Sequence, residues 1–251
     1  MSMTRVLLAA SLVLAACSGS AILGEVPPTL DDDDAVADDD DAVSNDADGD
    51  GDPAETDCDD DDPEVASTFE ETCGDGKDND CDDETRCYSL TRGGAVHWLD
   101  PISGDEEAAD WYGYGESAGG SHGFEIANTL VTLLYRDPFD DLWLVVSVDG
   151  WDDNSGGDVG IDLSDLGDAD IEVSDDPGEV YWVEDEIWLD FQWADCCIDG
   201  AVIGPLDEDF CVGMNVLSGH HGLGGGLVAF DGVSEVDVGV AEGRSELCRD
   251  D

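Results

Sequence analysis

The sequence predicts a mainly β protein. An antiparallel β-sandwich of jelly-roll type is expected over residues 88–251, preceded by a small disulfide-stapled, aspartate-rich module at 46–87 and a disordered acidic tether at 17–45. Three observations carry this reading. Only Phe69 precedes Tyr88 among the aromatic residues, and all seven Trp lie at or after Trp98, so an apolar core fits only in the later part of the chain. Apolar residues there recur with a period of two or in short continuous runs. Asp-Gly, Asn-Ser-Gly-Gly and Asp-Pro-Gly turns separate those runs at short intervals, as in all-β domains.

The chain opens on an address. Arg5 precedes the apolar run Val6 to Ala16, which is too short to span a bilayer and has the form of a signal segment over residues 1–16. The run ends in Leu14-Ala15-Ala16-Cys17, which resembles a bacterial lipobox. The resemblance implies cleavage before Cys17, lipidation of that residue and export. Ser18, in place of the aspartate that favours inner-membrane retention, implies the outer membrane or cell surface of a Gram-negative bacterium. Contact with the membrane would then be through the lipid anchor only. An ordinary secretory signal cut near Ala16 is the alternative, and it exports the chain as well.

Residues 31–37 and 38–44 are a tandem seven-residue repeat, Asp-Asp-Asp-Asp-Ala-Val-Ala and then Asp-Asp-Asp-Asp-Ala-Val-Ser. Like charges at this density repel and extend a segment, so residues 17–45 read as a spacer. The whole chain of 251 residues carries 66 acidic and 7 basic residues, a formal net charge of −59. Such a field excludes nucleic acid and anionic lipid surfaces as direct partners and attracts cations.

The module begins with Asp46, Asp48, Asp50 and Gly51, the D-x-D-x-D-G start of a calcium loop. Calcium takes six to eight hard oxygen ligands, and side chains at loop positions 1, 3 and 5 converge when glycine at position 6 turns the chain sharply. Asp52 at position 7 offers its backbone carbonyl. Asp57 stands at position 12, where an EF-hand has the longer glutamate. No amphipathic helix flanks the loop, so it is not an EF-hand pair.

The continuation is Asp57-Cys58-Asp59-Asp60-Asp61-Asp62-Pro63, then Glu71-Thr72-Cys73, then Asp75-Gly76-Lys77-Asp78-Asn79-Asp80-Cys81-Asp82. Over residues 46–87 this resembles the MopE-type metal-binding motif of bacterial surface proteins. Asp83 stands where that motif has glycine, and Ala66-Ser67-Thr68 where it often has a Pro-Gly pair. The resemblance implies a divalent metal, held by Asp46, Asp48, Asp50, Asp52 and Asp57, with Asp75, Asp78, Asp80 and Asp82 as a second ligand group. One member of that family has been associated with copper. The module has neither His nor Met, and hard oxygen ligands favour Ca2+.

Nine cysteines less Cys17 leave eight, an even number in an exported chain. Cys58, Cys73, Cys81 and Cys87 fall in the module, and Cys196, Cys197, Cys211 and Cys248 in the last third. Two disulfides in each half is the economical arrangement, with pairing open. For the adjacent Cys196 and Cys197, separate bonds to Cys211 and Cys248 are expected, with a strained vicinal bond as the alternative. A zinc site of reduced thiolates in the module competes with stapling, but the spacings give no paired C-x2-C knuckles.

From about His97 the pattern is of strands. Ile187, Leu189, Phe191 and Trp193 alternate with Trp188, Asp190 and Gln192. Leu142–Val148 is a continuous apolar run that should pair as a hairpin with residues 125–135, where a helix is the alternative. Further strands are expected at 158–163, 171–173, 179–183, 210–217, 226–230 and 236–240. Two loops offer clustered oxygen ligands: Asp149 to Asp158, and Asp195 with Asp199 around the adjacent cysteines.

His220-His221 in a glycine-rich loop reads mainly as exposed loop. There is no H-E-x-x-H, G-x-S-x-G or P-loop, so no catalytic residue is assigned. The expected function is that of an exported, lipid-anchored surface protein that binds calcium through its module and carries a sandwich for a polysaccharide or surface-protein ligand. A divalent-metal store and a polysaccharide hydrolase are the rivals.

Overall fold

The computed structural model describes residues 45–82, 86–113, 122–149, 156–194, 198–232 and 234–250. The signal segment, Cys17 and all of the tether but Asn45 lie outside these residues, as do Asp195, Cys196 and Cys197.

Strands begin at Cys87, ten residues before the expected change of pattern at His97. β1 (Cys87–Arg92) and β2 (Ala95–Leu99) form a hairpin closed by Gly93 and Gly94, with φ of 57° and 85°. Positive φ at both central positions is what a type I′ turn demands, and glycine meets it without a Cβ penalty. There follow β3 (Ile102–Ser103), the short helix α1 (Ala108–Tyr112), β4 (Thr129–Arg136), β5 (Leu142–Val148), β6 (Val159–Ser164) and β7 (Asp170–Ser174). The remainder are β8 (Val180–Val183), β9 (Glu186–Phe191), β10 (Asp199–Gly204), β11 (Cys211–Val216), β12 (Gly226–Asp231), β13 (Ser234–Gly239) and β14 (Gly243–Asp250).

These strands make two sheets. One has the order β2-β1-β14-β11-β6-β9-β8, and the other β13-β12-β4-β5-β10-β7, with β3 beside β4. Pairing is antiparallel except for β12 and β3, which run parallel to β4. The expected hairpin of residues 125–135 with Leu142–Val148 is present as β4 and β5, so the helical alternative for this segment falls away.

The main core lies between the sheets. Leu90, Ile161, Leu163, Ile187, Leu189, Phe191 and Val212 meet Leu130, Leu134, Leu144, Val146, Val148, Ala201 and Ile203. In β9 the alternation seen in the sequence holds, since Ile187, Leu189 and Phe191 are buried and their neighbours are not. The second sheet is buried on its outer face too. Val131, Leu133, Tyr135, Val145 and Val202 pack there with Ala108 and Tyr112 of α1, which explains why β5 reads as a continuous apolar run.

Cys211 and Cys248 stand opposite each other on β11 and β14 and are joined, Cα to Cα 4.0 Å. This corrects the expectation that each would bond Cys196 or Cys197. Neighbouring strands in register bring the two residues together, a juxtaposition that a sequence separation of 37 conceals.

Residues 45–82 hold no helix and no strand. The Cys58–Cys81 and Cys73–Cys87 disulfides staple them, the second to the first residue of β1. Oxidised sulfurs are not thiolate ligands, so the zinc arrangement falls away. Gly74 lies against Trp98 of β2, where an added Cβ would be 2.6 Å from the indole ring. That close approach packs the module on the edge of the first sheet.

Candidate metal centre

The first loop is folded by its own carboxylates. Asp46 accepts the N–H of Gly49 on Oδ1 at 2.6 Å and that of Gly51 on Oδ2 at 3.3 Å. Asp48 Oδ1 accepts the Asp50 N–H at 3.2 Å, and Asp50 Oδ1 accepts the Asp52 N–H at 2.7 Å. Gly49 and Gly51 have φ of 85° and 105°, values that side chains resist, and these turns aim alternate aspartates at one point. The Ala54 N–H donates to Asn45 O at 3.0 Å and closes the loop.

Carboxylate oxygens of Asp46, Asp48 and Asp50 lie within 4.8 Å of one another. One oxygen of each of Asp48, Asp50 and Asp57, in every case Oδ2, is buried without a hydrogen-bond donor. The other oxygen of Asp57 accepts the Asp59 N–H at 2.8 Å. Desolvation pushes the Asp48 carboxyl above its ordinary value, and the charges of Asp50, Asp57 and Asp46 add to this. Three of the five residues expected in the first ligand group therefore converge, and Asp57 lies near enough for its charge to act on Asp48.

Asp52, the fifth, does other work with its side chain. It is 5% exposed and accepts the Ser67 N–H at 2.7 Å and the Thr56 hydroxyl. Hydrogen bonds from Ser67 and Thr56 hold its carboxyl below the ordinary value. Its carboxylate ties the loop to residues 56–67, so only its backbone carbonyl remains as a ligand, as the loop numbering expects.

A second group forms, with a changed membership. Glu71, Asp78 and Asp80 bring carboxylate oxygens within 4.8 Å of one another. Burial raises the Asp80 carboxyl, and the charges of Asp82 and Asp78 raise it further. Asp82 thus sits beside this group, and its N–H donates to Asp80 Oδ1 at 3.3 Å. Asp75 accepts instead the Lys77 N–H at 2.9 Å and the Asn79 side-chain amide at 3.4 Å, which makes it a turn residue.

Glu71 is the ligand candidate that sequence reading left out of the metal set. Its only signal is its position two residues before Cys73. Asn79, 3% exposed, organises this half: its amide donates to Glu64 O at 2.8 Å, and its Oδ1 accepts the Thr72 N–H at 2.9 Å. Its own N–H donates to Glu71 Oε2 at 2.8 Å. Lys77 pairs with Asp62 and Glu64 at 2.8 and 2.5 Å, outside both groups.

Of the sandwich loops, Gly150 to Ser155 lie outside the described residues. Asp149 accepts the Asn128 N–H at 2.8 Å and so fixes the approach to β4. Asp158 pairs with the exposed His221 at 2.9 Å. On the outer face of the first sheet, Tyr181, Trp188, Asp162, Asn215 and Arg244 form one row across five strands. Asn215 donates to Asp162 at 2.9 Å within it. Comparison with protein-family models, with curated proteins and with solved structures finds no match to this chain.

Proposed function

We propose that the protein is an exported, lipid-anchored surface protein whose aspartate-rich module binds Ca2+ at the loop of Asp46, Asp48, Asp50 and Asp57. The observation that carries the reading is the set of three buried, donorless oxygens on Asp48, Asp50 and Asp57. Buried carboxylate oxygens are ordinarily hydrogen-bonded, and converging ones repel unless a cation lies between them. All four residues offer hard oxygen, which suits calcium and gives copper no nitrogen or sulfur ligand. The MopE-type motif and the lipobox support the metal and the anchor respectively. Glu71, Asp78 and Asp80 would hold a second ion.

The sandwich is the ligand- or surface-binding part. The row of Tyr181, Trp188, Asp162 and Asn215 supports a polysaccharide, since aromatic faces stack on sugar rings and the neighbouring amide and carboxylate bind hydroxyls. Replacing Trp188 by Ala should then abolish retention on the recognised polysaccharide without changing calcium uptake.

The decisive test is calcium titration of the chelator-stripped full chain, with limited proteolysis alongside. At a hundredfold excess over Kd, calcium should stabilise the module by about 2.7 kcal/mol per site and protect residues 46–87. Asp50→Asn should remove one tight equivalent. Equal cleavage of the module with calcium and with chelator would reject the reading. Many weak equivalents and no tight one would favour a metal store.

A further inference from the structure

We propose that Asp176, Glu179 and Asp199 form a further hard-cation site in the sandwich, separate from the module and of the calcium class. Their carboxylate oxygens lie within 4.8 Å of one another. The second observation is Asp199 itself: it is 3% exposed, and its Oδ2 is buried with no hydrogen-bond donor. Oε2 of Glu179 is likewise buried and without a donor.

The fold places these residues rigidly. Residues 175–179 carry the chain from β7 in one sheet to β8 in the other. The Asp175 N–H donates to Gly200 O at 3.1 Å, which fixes the start of this crossover against β10, where Asp199 is the first residue. The Asp190 N–H donates to Glu179 O at 2.8 Å and fixes its end against β9. Asp199 also pairs in register with Val148 at the end of β5. Three strands and a crossover thus converge on one point at the margin of the sandwich.

The electrostatics ask for a positive charge. Burial pushes the Asp199 carboxyl up to about 6, aided by Asp176 and Asp149. Burial likewise pushes Glu179 up to about 7, aided by Asp199, Asp176 and Asp190. Among the described residues, no Lys, Arg or His forms an ion pair with any of the three. A proton shared between Glu179 and Asp199 would relieve part of this repulsion, and a divalent cation would relieve more of it. The ligand set is all carboxylate, graded from the exposed Asp176 to the buried Asp199. An open side leaves room for water, which suits calcium with its high and flexible coordination number.

The test is calcium titration of the full, chelator-stripped chain, comparing wild type with Asp199→Asn, Glu179→Gln and the module variant Asp50→Asn. The site predicts that Asp199→Asn loses one equivalent that Asp50→Asn retains, and that Glu179→Gln binds that equivalent at least tenfold more weakly. It also predicts that Asp199→Asn melts higher than wild type in chelator, because a repelling charge is gone, and gains less from calcium. If Asp199→Asn misfolds, the half-buried Glu179→Gln decides the matter alone. Wild-type stoichiometry and affinity in the folded Asp199 or Glu179 variants would overturn the site and leave the module's reading standing. Loss of the same equivalent in both Asp50→Asn and Glu179→Gln would also overturn it as a separate site.

Discussion

Among the described residues, the module at 45–82 buries two apolar side chains, Val65 and Ala66, whereas the sandwich buries a full layer between its sheets and a second layer outside one of them. Carboxylates are used differently as well. In the sandwich Asp137 accepts the N–H groups of Phe139 and Asp141 at 2.9 and 3.0 Å and the Trp143 indole at 3.1 Å, and so locks a turn. In the module, Asp48, Asp50 and Asp57 each spend one oxygen on the backbone and keep the other buried without a donor. One region is ordered by excluding water, and the other by cross-links and by carboxylates that accept backbone hydrogen bonds. The two should therefore fail under different insults.

The largest separation is expected from the core. Phe191→Ala removes a fully buried ring and should cost the sandwich about 3–5 kcal/mol. Denaturant unfolding followed by tryptophan fluorescence reads this directly, because every Trp lies outside the module. Calcium uptake at the Asp46–Asp57 loop should survive in the folded variant. The reverse insult is Cys58→Ser with Cys81→Ser. It reopens a loop with a sequence separation of 23 and should cost the module about 3 kcal/mol, seen as new protease sites in residues 45–82 with the fluorescence midpoint unmoved.

Asp137→Ala should cost the sandwich about 1–3 kcal/mol, since it strands two backbone donors and an indole N–H. A midpoint unchanged within error would mean that water replaces the carboxylate. The smallest effect concerns pH. Glu179 and Asp199 have folded values of about 7 and about 6, above the ordinary 4.5 and 3.8. Folding therefore favours their protonated forms. Their stabilising contribution is complete below about pH 4 and is lost as pH rises through about 6 and then about 7. In chelator, the melting temperature of wild type should fall more between pH 5 and pH 8 than that of Glu179→Gln. Equal falls would show that the titration lies elsewhere.

The strands legible in the sequence were those with apolar alternation or unbroken apolar runs, such as β5 and β9. Those missed lack that signature or have it masked by a turn-like flank. β14 has the sequence Gly-Arg-Ser-Glu-Leu-Cys-Arg-Asp, with a single aliphatic side chain in eight residues, and is held between β1 and β11 by its ladders. β10 opens on Asp-Gly, which reads as a turn, yet it runs buried between β5 and β7.

The first carboxylate cluster was legible because its residues are close in sequence and their spacing is that of a loop. Glu71 was less so, because the Cys58–Cys81 and Cys73–Cys87 bonds decide which acids meet. Asp176, Glu179 and Asp199 could not be grouped from local pattern at all, since they are assembled by the pairing of β7 with β10 and by the crossover to β8.

The order of the disulfides also fixes how a pull would travel. Tension applied upstream of residue 45 follows the backbone to Cys58, crosses to Cys81 and reaches the sandwich at Cys87 by the shortest covalent route. Residues 59–80 hang from that line and bear little of the load. Asp46, Asp48, Asp50 and Asp57 lie on it, whereas Glu71, Asp78 and Asp80 do not. Under a stretching force the first loop would be drawn open while the second kept its shape, so the two carboxylate groups differ in mechanical exposure although they share one small module.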